Sequence, residues 1–483
     1  MSSTASGTSG AAALRSTHPS APPSPPTLLW APQAWVDGRW AQAVTLRIGA
    51  DGCWNEISAN TPAPDQAERL SAPVLPGLVN AHSHAFQRAF VGLAERRESA
   101  TASDDFWSWR DRMYGVALRI SPAQLRTVAT HLYGELLRGG YTQVCEFHYL
   151  HHQPDGSPYP PEAGGEWVMA RALADAAVDS GIGLTLLPVL YERAGFAQPD
   201  LRSEQRRFAT DVGHVLRLRD AIRQWQLPQV SAGVAVHSLR AATPGSLQAL
   251  WRALEGDSAP IHIHIAEQTA EVDDCLASTG QRPIEWLAAQ GWLDARWQLV
   301  HATHATPAEI DAVASSGAGV VLCPGTEANL GDGLADLPGW LGAGVPLALG
   351  SDSHVTRTWA EELRWLEYGQ RLQRRQRNVC ATPPGEPATA ARLFECALRA
   401  GAAASGLSRT GLVPGARADL LVVNTDDDAL LGLPASHCLD GVVFGAAAQP
   451  IARTLVAGRW VGQANGETAA RFAAVQNAFW RQE

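Results

Sequence analysis

Val74-Leu-Pro-Gly-Leu-Val-Asn-Ala-His-Ser-His84 is a near-continuous apolar run that ends in two histidines. Unbroken apolar strands of this kind belong to parallel sheets covered on both faces. Seven further segments repeat the pattern, apolar first and polar at the C-terminal end: Thr142 to Tyr149, Gly183 to Tyr191, Ala232 to His237, Pro260 to Glu267, Trp297 to His301, Gly317 to Cys323 and Pro346 to Asp352. Helical stretches lie between them, among them Pro122 to Arg138, Glu166 to Ser180, Gly245 to Leu254 and Pro307 to Ser316. Eight such alternations predict an α/β fold, a closed (β/α)8 TIM-type barrel. An open doubly wound sheet is the rival, but no G-x-G-x-x-G follows the first strand.

Outward from the barrel, Leu28 to Ile48 and Gly52 to Ile57 read as short strands with turn residues between them. Past Asp352, Ala360 to Arg377 and Thr389 to Ala404 read as helices. Ala418 to Val423, Val442 with Val443, and Arg453 to Val456 read as strands, and Thr468 to Arg481 as a final helix. Strands flanking the barrel at both ends predict a small β-sandwich domain built from the two termini. The expected organisation is a disordered Ser/Ala/Pro-rich tail over 1–27, the composite β domain over 28–73 and 410–465, the catalytic barrel over 74–409 and a C-terminal helix over 466–483.

At 483 residues and 46% hydrophobic, the chain can bury a large core. A net charge of −10 argues against a nucleic-acid partner. No apolar window reaches the roughly 18 residues of a membrane span, and the N-terminus lacks the h-region of a secretory signal. Cys53, Cys145, Cys275, Cys323, Cys380, Cys396 and Cys438 form no C-x-x-C pair, as expected of reduced thiols in a cytoplasmic protein. All 38 basic residues are Arg. With no lysine, Schiff-base and PLP chemistry, a P-loop and a metal bridge through carboxylated lysine are all excluded.

In a barrel of this type the functional groups gather at the C-terminal strand ends. Here those ends carry His82 and His84, Glu146 to Tyr149, His237 to Arg240, His264 to Glu267, His301 and Asp352. His82 and His84 alternate along a strand, so both imidazoles share a face and can grip one cation. A lone H-x-H is weak evidence, but His264 and Asp352 would complete three imidazoles and one carboxylate. That donor mix suits one Zn²⁺ or Fe²⁺ with an open position. A metal there would lower the pKa of a bound water from about 15.7 towards about 7.

His262 shares the face of His264 but lies a layer deeper, as a core histidine would. Glu267 can carry a proton from water to a substrate nitrogen, or it can cap the helix that follows. His304 reads as a loop residue behind His301, and His151 and His152 as solvated loop residues. Cys145 and Cys323 read as buried thiols. Arg240 and Arg110, the latter within Phe106-Trp-Ser-Trp-Arg110, suit bidentate capture of carboxylates, or are surface arginines with packed stems.

The order of His82-x-His84, His264-x-x-Glu267, His301 and Gly350-Ser-Asp352 resembles the mononuclear deaminases of the amidohydrolase superfamily. More closely, His82-Ser-His-Ala-Phe-Gln-Arg88, Glu146-Phe-His-Tyr149, His237-Ser-Leu-Arg240, Ile261-His-Ile-His-Ile-Ala-Glu-Gln268, His301-Ala-Thr-His304, Thr326-Glu-Ala-Asn-Leu-Gly-Asp-Gly333 and Gly350-Ser-Asp-Ser-His354 are similar to the formimidoylglutamate deiminases of bacterial histidine degradation. The resemblance implies one zinc on His82, His84, His264 and Asp352, and proton transfer by Glu267, His301 and Asp352. It implies substrate contacts from Gln87, Arg110, Tyr149, His237 and Arg240, and hydrolysis of N-formimidoyl-L-glutamate to N-formyl-L-glutamate and ammonia. The rivals are a purine, pyrimidine or triazine deaminase and a non-catalytic barrel protein. A homodimer is the expected assembly.

Overall fold

The computed structural model describes residues 25–97, 104–462 and 466–480. The predicted disordered tail lies outside the described residues up to Ser24, as does Arg481 at the predicted end of the last helix.

The predicted closed barrel is present. Its eight strands are Leu78–Ser83, Tyr141–His148, Gly183–Leu190, Val230–Ala232 continuing as Val234–Val236, Ile261–Ile265, Trp297–His301, Gly319–Leu322 and Leu347–Leu349. Every ladder is parallel, and Leu349 pairs with Asn80 to close the ring. The fourth strand breaks at Gly233, where a Cβ would stand 2.6 Å from the Pro260 carbonyl oxygen and 2.7 Å from Leu187. Only glycine fits so close a backbone approach. The C-terminal half of this strand then pairs with the third and fifth strands, Ala235 with Val189 and Val234 with Ile261.

The covering helices begin where local chemistry dictates. Ser121 and Thr306 each accept from the backbone three residues on, and Gln124 and Glu309 return the bond. Pro122 and Pro307 supply the first helical residues. A hydroxyl cap, proline next and Glu or Gln at the third position satisfy the orphan N–H groups of a first turn. The predicted helix from Ala360 runs over Trp359–Arg374 and that from Thr389 over Thr389–Ser405. Among the described residues no helix is long and apolar enough to cross a membrane.

The second sheet draws strands from both termini. The hairpin Leu28–Val36 and Arg39–Ile48 pairs with Trp54–Ser58 on one side. On the other, Val74 pairs with Ala34 and also with Val422, so Val74–Leu75 joins the N-terminal strands to Leu420–Val423 and Ile451–Val456. The sheet bends over itself: Cys53 bridges Arg417, and Trp54 shares a buried cluster with Leu29, Leu46, Leu420 and Leu455. This core is separate from the barrel's. One expectation fails here. Val442 and Val443 lie in a helix, Cys438–Phe444, not a strand. Two adjacent β-branched residues carry too little periodicity to separate the two.

Candidate metal centre and active site

The first barrel strand and the loop after the eighth are tied backbone to backbone. Ser351 and Asp352 N–H groups donate to the His82 carbonyl at 3.1 and 3.0 Å, and His84 N–H donates to the Asp352 carbonyl at 3.2 Å. His264 enters from the fifth strand. The result gathers three donor atoms around His82 Nε2. His82 Nε2 lies 3.2 Å from His84 Nε2 and 2.9 Å from His264 Nε2. Asp352 Oδ1 lies 3.4 Å from His82 Nε2 and 3.3 Å from His84 Nε2.

Donors about 2.0–2.1 Å from a shared tetrahedral ion stand about 3.3 Å from one another. The observed spacings bracket that value for His82, His84 and Asp352, which could share one divalent ion; His264 joins them through His82 and also groups with His82 and His301. Electrostatics agree. Burial pulls His82 down to about 3 and holds His84 and His264 below the usual imidazole range, as neutral ligands require. Burial alone would raise Asp352, but its hydrogen bond with His82 and the surrounding imidazoles hold it well below the usual carboxylate range. His84 Nδ1 faces the Phe147 carbonyl at 3.1 Å, which fixes its N–H on that side and leaves the Nε2 lone pair inward. Ser83 and Ala85, either side of His84, both donate to Glu146 at 2.7 Å.

Glu267 and His301 stand beside this cluster. His301 Nε2 lies 3.7 Å from Glu267 Oε1 and 3.8 Å from Asp352 Oδ2. Burial pushes Glu267 up to about 7, with Asp352 adding to it and His301 opposing. Burial opposes a charged His301, but Glu267, Glu327 and Asp352 outweigh it and push the imidazole up to about 10. Glu267 is not a helix cap. The helix Thr269–Thr279 follows Gln268, and it is Glu271 that accepts from the Ala266 and Glu267 N–H groups at 3.3 and 3.2 Å.

One chamber collects most of the predicted residues: His84, Gln87, Arg110, Tyr149, His237, Arg240, His264, Glu267, His301 and Asp352 line it. His82 lies beneath it, fully buried. Gln87 Nε2 donates to the Tyr149 hydroxyl at 3.0 Å, and the His237 ring lies 5.1 Å from that of His264. Arg110 sits on the helix Phe106–Ala117 with its guanidinium 4.4 Å from the Trp107 ring centre, and Arg240 lies 5.8 Å from the same ring. His262 is a core residue, its Nε2 at 2.8 Å from the Ala404 carbonyl.

Some neighbours escaped the sequence reading. Glu327 holds His301 Nδ1 at 3.2 Å while accepting from Cys323 N–H at 2.9 Å. Its motif, Thr326 to Gly333, stands out in the sequence, but nothing there joins it to His301. Asp332, hydrogen-bonded by Gln268, is pushed up to about 9 by burial and by the charge of Glu267. His151 and His152 are a correction: they are buried, not solvated, in a ring cluster with His148 and His214. Both donate their backbone N–H groups to the Arg207 carbonyl, at 3.0 and 3.2 Å, and this draws the loop inward.

A strand-end set of three imidazoles and one carboxylate on a closed barrel defines a metal-dependent hydrolase of a known kind: residues 74–461 match the amidohydrolase family, and the chain belongs to it. The formimidoylglutamate deiminase of Pseudomonas aeruginosa is 44% identical over 452 residues, 93% of this chain and 98% of that protein. The crystal structure of an amidohydrolase from Brucella melitensis is 40% identical with a TM-score of 0.86, covering 94% of this chain and 99% of that one. An adenosine deaminase from Xanthomonas campestris, solved with bound zinc, shares the fold at 21% identity and a TM-score of 0.76, covering 94% and 98%.

Proposed function

We propose that this enzyme hydrolyses N-formimidoyl-L-glutamate to N-formyl-L-glutamate and ammonia, in the degradation of histidine. The observation that carries the reading is the near full-length similarity to the Pseudomonas aeruginosa deiminase, together with two arginines in the same chamber as the metal donors. His82, His84, His264 and Asp352 would hold one zinc ion per chain; bound there, it supplies Lewis acidity that makes a water nucleophilic near neutral pH. Asp352 and the His301 imidazolium hold and polarise the water, whose proton passes to the Glu267 carboxylate. Glu267, poised near neutrality, delivers a proton to the departing nitrogen, so that ammonia rather than amide anion leaves. Arg110 and Arg240 meet the carboxylates, with Gln87, Tyr149 and His237 orienting the formimidoyl group over the metal donors. A homodimeric cytoplasmic enzyme completes the reading, and seven free thiols suit a reducing compartment.

The test is ammonia release by the metal-loaded protein from N-formimidoyl-L-glutamate, guanine, adenosine and cytosine in parallel. Rapid turnover of the first and none of the heterocycles is expected. Preference for a heterocycle would overturn the proposal.

A further inference from the structure

Above the catalytic chamber lies a second, outer one, lined by Trp107, Arg110, Arg202 and Arg240, with the Ala194 to Gln198 loop closing one side. Arg110 and Arg240 line both chambers and so form the partition, whereas Arg202 lines only the outer one. The three guanidiniums converge through two aromatic rings. Arg110 and Arg240 share Trp107, and Arg110 and Arg202 lie 5.8 and 5.6 Å from the Tyr114 ring centre. Arg202 is tethered as well, its Nη2 donating to the Tyr114 hydroxyl at 3.2 Å. No ion pair within 4 Å involves any of the three among the described residues, in a chain of net charge −10. Asp274, the acidic residue of the lining, is exposed and unpaired with them. Burial disfavours the charge on Arg110, and the positive fields of Arg240 and Arg202 disfavour it further. Asp111 and Glu204 act on Arg202, and Glu267 and Glu271 on Arg240, only from beyond ion-pairing distance, so three like charges held together form a site that an anion stabilises.

We propose that Arg202 is a specificity-determining residue: with Arg110 and Arg240 it makes an outer anion station that captures a carboxylate of a dianionic substrate before the molecule enters the catalytic chamber. The inference rests on the dicarboxylate reading above. Two carboxylates meet three guanidiniums, so one carboxylate can land on Arg202 and Arg110 and pass inward to Arg110 and Arg240 without losing a charged partner. Because Arg202 touches only the outer chamber, it acts on capture and leaves the chemical step alone.

The experiment compares metal-loaded parent, Arg202→Gln and Arg202→Lys on N-formimidoyl-L-glutamate and on its diamide, at low and raised ionic strength. Arg202→Gln should lose about tenfold in kcat/KM on the dianion at low salt, through KM, with kcat nearly retained. The loss should shrink as salt screens the station, since the Debye length falls to about 10 Å at 0.1 M. Arg202→Lys should restore most of it, and the diamide should be unaffected. A kcat/KM for Arg202→Gln within twofold of the parent, an equal loss on the diamide, or a loss confined to kcat would overturn the proposal. Should the parent fail to release ammonia from N-formimidoyl-L-glutamate, the functional reading fails separately. Calorimetry with glutarate then decides the station alone: about tenfold weaker binding by Arg202→Gln supports it, and unchanged binding overturns it.

Discussion

Glu267 differs from an ordinary surface glutamate only in where the fold puts it. Buried beside Asp352 and His301, its carboxyl titrates near 7 rather than at the usual value near 4.5. A group that must first accept the water's proton has to start as a carboxylate. The parent's kcat/KM should therefore rise with pH along an acid limb lying nearer 7 than 4.5, and flatten above it. Glu267→Gln keeps size and hydrogen bonding but carries no proton, so kcat should fall about 10²–10⁴-fold with the metal retained. Normal turnover by that variant would make Glu267 a structural group. His262 and His264 supply a second contrast at this scale, two residues apart on one strand face. His264→Ala should lose most bound metal, because it removes the donor 2.9 Å from His82 Nε2. His262→Ala removes only a bond to the Ala404 carbonyl, so metal analysis should find about one ion per chain still bound. Loss of metal from His262→Ala would reverse the ligand assignment.

The elements carry strain where the chemistry is. Ala266, His301, Ala302, Asp352 and His354 all have positive φ, at the ends of the fifth, sixth and eighth strands or just beyond. Each such residue costs about 1–3 kcal/mol and persists only where neighbours over-determine it. Asp352 is held by the Ser83 bridge and by the bonds to His82 and His84. This is why the predicted eighth strand, drawn as far as Asp352, stops at Leu349: the backbone turns left-handed to aim the carboxylate at the histidines. Close packing behind the turn matters equally. A Cβ at Gly350 would meet the His82 Cβ at 2.6 Å and the Cys323 sulfur at 2.8 Å. Overpacking of this kind costs about 1–3 kcal/mol. Gly350→Ala should displace His82, lowering metal content and activity at least tenfold while the protein still folds. An unchanged metal content would mean the first strand can yield without disturbing its ligands.

At the scale of the whole molecule, the composite sheet and the barrel are fastened together by Arg417. Its guanidinium forks onto Asp419 and also donates to Gln143 Oε1 at 2.6 Å and the Thr142 carbonyl at 3.0 Å, both on the second barrel strand. That strand ends at His148, with the Phe147 carbonyl and the following Tyr149 beside the site. The C-terminal helix Gly466–Trp480 grips the other side, with Phe472 stacked 4.2 Å from His131 and Trp480 donating to the Ala89 carbonyl at 3.1 Å. Hydrogen bonds to a charged group contribute about 1.5–3 kcal/mol, and acceptors left buried add to the loss. Arg417→Ala should therefore lower the melting temperature by several degrees and leave kcat within about twofold, since none of its partners lines the chamber. A large fall in kcat with an unchanged melt would place Arg417 in the catalytic apparatus instead.

Period and chemistry along the chain determined the barrel, its eight strands and the strand-end histidines and aspartate proposed to hold the metal. Apolar runs ending in histidine are local patterns, and a strand's alternation puts His82 and His84 on one face whatever surrounds it. The absence of lysine likewise settled by composition which chemistries the chain cannot perform. Tertiary structure decided the rest, because the remaining properties belong to pairs of residues far apart in sequence. Glu327 reaches His301 across 26 positions, and Arg202 meets Arg110 only once the third and first loops fold over the same mouth. Burial of His151 and His152, the helix at Val442 and the left-handed turn at Asp352 likewise follow from what packs against them. A side chain's charge state depends on its desolvation and its neighbours, neither of which is written in its own segment.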